Sequence, residues 1–168
     1  QLIPTNTHSS YNIEEINENI VAKLDHYISS TTDVSLPRDS TNLLWRFCQN
    51  PANSYHTISV KIEESEVIVI FKKYMNSVDV MEVFYSDDLK ERQDLGLMLC
   101  IKNLLADQGD QINIWSNLYG DEHLLLEKIG FRNHEFSTYF CFILLQNEIE
   151  EIMHVDNWHY RFCDSDVY

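Results

Sequence analysis

The chain has little glycine and little proline, 4 and 3 in 168 residues, which excludes a linker-rich, collagenous or low-complexity protein. Basic residues are also scarce: 12 Lys and Arg stand against 27 Asp and Glu, for a net charge of −15. A surface of that sign repels phosphate backbones, and no Lys/Arg cluster offsets it, so nucleic-acid binding is not expected. No apolar run approaches the ~18 residues that span a bilayer, and no basic-then-apolar leader opens the chain, so membrane insertion is not expected either. The cysteines Cys48, Cys100, Cys141 and Cys163 lie far apart with no CxxC pair. That spacing suits buried free thiols in a cytoplasmic protein better than a zinc site or a disulfide framework. The seven histidines show neither HxxxH nor HExxH spacing, so no metal is expected. There is no Gly-x-Ser-x-Gly, nor a cysteine with an obvious histidine partner, so nothing points to a nucleophilic enzyme.

What is present is a core. The chain is 44% hydrophobic and 12% aromatic, enough for one domain of this length. Residues 1–10 read as a polar, flexible segment and residues 11–168 as a single domain. A start on Gln1 suits a piece excised from a longer protein. From Asn12 to Tyr27 the residues Ile13, Ile16, Ile20, Leu24 and Tyr27 follow helical spacing. After Pro37, Asp39 or Ser40 can cap a short helix through Leu43, Leu44 and Phe47, ending before Asn50-Pro51. Three strands follow, Tyr55–Ile62, Glu66–Tyr74 and Val78–Tyr85, with connections short enough for an antiparallel meander. The period then changes. Leu95–Ala106 reads as a helix, Ile112–Trp115 as a strand and Asp121–Ile129 as a helix stopped by Gly130. Phe136–Leu145 is a long apolar strand, Glu148–Met153 a helical turn and Trp158–Cys163 a final strand. A meander followed by β-α-β-α-β makes a mixed α/β (α+β) sheet, mostly antiparallel, with helices on both faces. The crossover through Leu95–Ala106 makes Val78–Tyr85 and Ile112–Trp115 adjacent parallel strands, parting at their C-terminal ends.

That element order resembles the GNAT (Gcn5-related N-acetyltransferase) fold. The run Ile112-Asn113-Ile114-Trp115-Ser116-Asn117, leading to Leu124-Leu125-Leu126-Glu127-Lys128-Ile129-Gly130-Phe131, is similar to the family's strand ending in Asn, then a helix stopped at Gly-Phe. Over Asp39 to Tyr168, the segments Leu44-Trp45-Arg46-Phe47, Asn50-Pro51 and Tyr55, with Trp158 and Asp164-Ser165-Asp166-Val167-Tyr168, are similar to GNAT-like proteins of bacterial surface-polysaccharide clusters. Those proteins often carry two such halves, and this chain resembles the C-terminal one. The resemblance implies acetyl-CoA or another acyl-CoA as donor, and a small amine such as an amino sugar as acceptor. It also implies a preceding GNAT-like domain or a second copy as partner.

For such a reaction Glu82 is the candidate base. It lies on one strand face with Val78, Val80 and Phe84, where apolar surroundings would raise its pKa. The competing reading turns it to solvent at a bulge or pairs it with a lysine. Tyr85 is a candidate donor or contact to the cofactor arm, and Val83 and Phe84 beside it are candidate cofactor-binding residues. The family's phosphate-binding turn, Gln/Arg-x-x-Gly-x-Gly/Ala, falls on Gln93-Asp94-Leu95-Gly96-Leu97-Met98, with Met98 where a small residue is usual. Leu126 stands where the family often has a tyrosine acid. Asn117 falls at a position expected to touch the cofactor arm, and otherwise caps the following segment. Trp45, Arg46 and Tyr55 can shape an acceptor pocket, and Asp164 or Asp166 can bind an acceptor hydroxyl or amine. Three functions follow: an acyl-CoA-dependent N-acetyltransferase, a non-catalytic GNAT-like binding or scaffolding domain that has lost CoA, or an acidic interaction domain whose likeness to that fold is only topological.

Overall fold

A computed structural model describes residues 10–28, 35–118, 120–133 and 158–164. The described strands form one sheet in the order β1-β2-β3-β4-β5. These are Tyr11–Glu15 (β1), Tyr55–Ile62 (β2), Ser65–Tyr74 (β3), Ser77–Tyr85 (β4) and Gln111–Ile114 (β5). The first three pairings are antiparallel and β4–β5 is parallel. The antiparallel meander of β2, β3 and β4 is therefore as the short connections predict, and the parallel pair is joined through the expected crossover helix. The hairpin turns at Glu63-Glu64 and Met75-Asn76 use positive φ at a non-glycine residue, +55° at Glu63 and +54° at Met75.

Three elements differ from the sequence expectation. The Asn12–Tyr27 pattern divides into β1 and a shorter helix, α1, Glu18–Leu24. Asn17 is extended, and its side chain accepts hydrogen bonds from the N–H groups of Asn19 and Ile20, so the helix cannot begin earlier. Ile13 pairs with Ile58 across the β1–β2 ladder instead. The crossover helix, α3, spans Lys90–Asp107 and so starts five residues before Leu95. Trp158–Cys163 is not a strand: Trp158 makes a lone bridge, and Phe162–Asp164 is a 3₁₀ turn. The expected strand Phe136–Leu145 and helical turn Glu148–Met153 lie outside the described residues, as do residues 1–9, Cys141 and Asp166.

Other boundaries agree. Asp39 caps α2 (Ser40–Leu43), accepting from Asn42 N at 2.9 Å, and the chain continues as a π-helical turn over Leu44–Cys48. The fourth helix, α4, spans Asp121–Lys128. It ends through Gly130 at φ +108°, a conformation glycine adopts without strain, with Phe131 N donating to Leu126 O at 3.0 Å.

Helices cover both faces. On one, Ile58, Val60, Val67, Val69, Phe71, Val78, Val80 and Val83 pack against Leu97, Cys100, Ile101 and Leu104 of α3 and Leu125 and Leu126 of α4. On the other, Ile68, Ile70, Met81 and Phe84 pack against Val21 and Leu24 of α1, Leu43, Phe47 and Phe162. No described helix is long and apolar enough to cross a membrane.

Candidate functional site

Glu82 reaches its place through a β-bulge. The β3–β4 register passes from Phe71↔Val80 to Ile70↔Glu82, leaving Met81 without a partner. An extra residue in one strand reverses the alternation beyond it. Val78 and Val80 thus face the first core, whereas Glu82 sits opposite Ile70 on the second face, beside Phe84. The expectation of one face shared by Val78, Val80, Glu82 and Phe84 is corrected for this reason.

Glu82 is fully buried, but its surroundings are ionic. Its Oε2 accepts from Arg38 Nε at 2.5 Å. Its Oε1 accepts from the Val83 N–H at 2.9 Å, lies 3.3 Å from His159 Nε2 and 3.4 Å from Arg161 Nε. Burial alone would raise its pKa; the His159 hydrogen bond and charge, with Arg38 and Arg161, outweigh it and lower the value to about 2. The expected upward shift is therefore corrected: the cations win because they contact the carboxylate directly.

The cluster extends through its arginines. Arg38 Nη2 also donates to Asp164 Oδ2 at 2.7 Å, and the same oxygen accepts the Arg161 N–H at 2.7 Å. Arg161, only 3% exposed, donates from Nη1 to the Trp115 carbonyl and to Glu122 Oε1, each at 2.6 Å, and from Nη2 to Glu122 Oε2. Burial opposes the charge of both arginines, but the carboxylates beside them hold their pKa values above the ordinary arginine value. Burial likewise pushes Glu122 up, and Arg161 more than reverses it. Three carboxylates and two guanidiniums are thus gathered from β4, α4, the approach to α2 and the segment Trp158–Asp164.

Tyr85 is adjacent, and burial, followed by the charge of Glu122, pushes its phenol well above the usual range. Its backbone is already engaged: Ile28 N donates to Tyr85 O and Tyr85 N to Ile28 O, both at 2.8 Å. Val83 and Phe84 are fully buried in opposite cores.

The expected phosphate turn is interior helix. Leu95, Gly96, Leu97 and Met98 lie in the second and third turns of α3, where N–H groups are already committed to the helix. Gly96 is small because α3 crosses β3 there: a Cβ would come within 2.3 Å of Val67 Cγ2. The helix actually begins beside acidic Asp87, Asp88 and Glu91, and Gln93 Nε2 donates to Asp87 O at 2.7 Å. Asn117 Nδ2 donates to Trp158 O at 3.1 Å, tying the turn after β5 to the segment that carries Arg161.

Of the acceptor candidates, Tyr55 is buried with its ring edge-on to Phe47 at 5.0 Å, and its hydroxyl accepts from Asn50 at 3.5 Å. Arg46 lies near enough to lower the Tyr55 pKa, although burial leads and raises it. Trp45, by contrast, is 64% exposed. A cavity of 1020 Å³ runs along the outer edge of β5 past Asp79, Asn113, Trp115 and Phe131, and includes neither Glu82 nor Tyr85.

Cys48, Cys100 and Cys163 are free thiols, and no metal-holding group of three occurs among the described residues. The sequence reading missed Arg38, His159, Arg161 and Glu122. The one local signal was Arg161 between Tyr160 and Phe162, a cation in aromatic company in a chain short of cations. Comparison of the chain with known protein families, with curated proteins and with solved structures finds no match.

Proposed function

We propose that this chain is a non-catalytic GNAT-like binding or scaffolding domain in which the chain's own side chains fill the place of an acyl-transfer site. The observation that carries this reading is the state of Glu82. Both of its oxygens are held by cationic donors, it has no exposure, and its pKa is lowered to about 2. A general base works best with a pKa near the operating pH, and within reach of the proton it takes. Glu82 meets neither condition. The packing of Gly96 on Val67 and the acidic start of α3 argue in the same direction for the cofactor.

One observation favours the other reading, an acyl-CoA-dependent N-acetyltransferase for a small amine such as an amino sugar. The β4–β5 pair is parallel and its ladder ends with β5 at Val80↔Ile114 while β4 continues to Tyr85, an arrangement in keeping with the parted strand ends of that fold. Titration calorimetry with acetyl-CoA and CoA, beside a thiol-release assay over a panel of amino sugars, decides between them. The non-catalytic reading expects no saturable heat and no thiol release. Micromolar acetyl-CoA binding together with turnover that a folded Glu82→Gln variant loses overturns it.

A further inference from the structure

Where β4 and β5 part, the gap holds the guanidinium of Arg161. Its acceptors come from three separate places in the main fold: Glu82 on β4, the Trp115 carbonyl just past β5, and Glu122 on α4. Four of its five donor hydrogens are accounted for by these bonds, including a two-pronged pair with Glu122. Among the described residues, the segment carrying Arg161 has only the Trp158 bridge and a 3₁₀ turn, whereas Glu82 and Glu122 sit on β4 and α4 and the Trp115 carbonyl directly follows β5. β4 is central to the sheet, and α4 is anchored in the first core by Leu125 and Leu126. Withdrawal of Arg161 would leave Glu122 without its cation and Glu82 with one guanidinium fewer, around a slot shaped for a planar fork. An ammonium, a compact charge, cannot satisfy acceptors spread in this way.

We propose that the parting of β4 and β5 forms a guanidinium-recognition site, occupied in cis by Arg161 as an intramolecular ligand, which takes an external guanidinium when Arg161 is removed. The proposal rests on Glu82 being a permanent carboxylate acceptor, as in the reading above. The external ligand is either a small guanidinium compound or the arginine side chain of a peptide.

The test uses the full chain carrying Arg161→Ala. Agmatine supplies the guanidinium, cadaverine is its charge-matched diamine control, and a blocked peptide copying Tyr160-Arg161-Phe162 represents the peptide source. Calorimetry and thermal melts should show saturable binding of agmatine or the peptide to the variant, with a raised Tm. Affinity should exceed that of cadaverine by about tenfold or more, as expected when charged hydrogen bonds are gained. Wild type should show no such site, since Arg161 fills it. Tighter binding of the peptide identifies an arginine-bearing segment as the ligand, and binding of agmatine alone a small molecule. Equal effects of agmatine and cadaverine, or equal binding to wild type and variant, overturn the proposal. If the variant does not fold by itself, refolding yield from urea gives the readout: a gain with agmatine but not cadaverine supports the site, and equal yields refute it. Acetyl-CoA plays no part in this experiment, so its failure is distinct from failure of the non-catalytic reading.

Discussion

The two faces of the sheet solve the same burial problem with different chemistry. The face under α3 is almost wholly apolar: valines from three strands meet leucines and Ile101 of α3 and Leu125 and Leu126 of α4, and even Cys100 lies there as a buried thiol whose pKa burial raises. The opposite face begins in the same manner, with Ile68, Ile70 and Phe84, but encloses Glu82, Arg38 and Arg161 at its centre. A dry core is stabilised residue by residue, roughly by the area each side chain removes from water. A buried ionic cluster is favourable only when complete, because each uncompensated member costs more than it contributed. The apolar face should therefore tolerate change in small steps, and the ionic face should fail as a unit.

The sharpest way to break that comparison is Glu82→Gln. It keeps the shape but leaves Arg38 and Arg161 buried with less compensation, and should cost about 3–5 kcal/mol in urea unfolding. The pH dependence supplies a second readout. The folded pKa of about 2 lies below the ordinary value of 4.5, so between them the unfolded chain binds the extra proton. The Glu82 contribution is then fully present above about pH 4.5 and is lost as the pH falls toward 2. Stability measured across that window should fall less steeply in Glu82→Gln than in wild type. Parallel slopes would show that Glu82 is not held as a carboxylate.

On the apolar face the expected penalty comes from contact rather than charge. Gly96→Ala drives a methyl into Val67 where α3 crosses β3, and should cost about 1–3 kcal/mol by overpacking, despite the better helix propensity of alanine. A stabilised variant, measured by the same urea titration, would mean that α3 can lift from the sheet. The smallest expected effect belongs to α1. Asn17→Ala removes the cap that satisfies Asn19 and Ile20 N–H groups and should lower stability by about 1 kcal/mol, with no change in the acid slope.

Legibility followed the same division. The meander could be read because its strands carry their own apolar residues, such as the run Val67-Ile68-Val69-Ile70, and their connections are short, and Asp39 and Gly130 marked helix ends through local chemistry confined to a few residues. The start of α1 was missed although its cap is local, because Ile13 has both helical spacing to Ile16 and a strand partner in Ile58. The start of α3 was missed because Lys90 to Asp94 is polar and gives a period-based reading nothing to follow. Glu82 was singled out correctly as a carboxylate in an apolar strand, but its face and its pKa direction were both inverted.

The sequence by itself therefore determined the elements whose information is local: β2, β3, β4 and β5, the caps of α2 and α4, and the acidic surface. Only the tertiary structure decided what Glu82 is. Its face depends on one unpaired residue, Met81, whose bulge exists only once β3 has paired with β4. Its charge depends on Arg38 and Arg161, which stand 44 and 79 residues away along the chain and within 3.4 Å of it in space. Periodicity along a strand cannot carry that information, because direct contact with distant cations reverses the pKa shift that burial alone would impose.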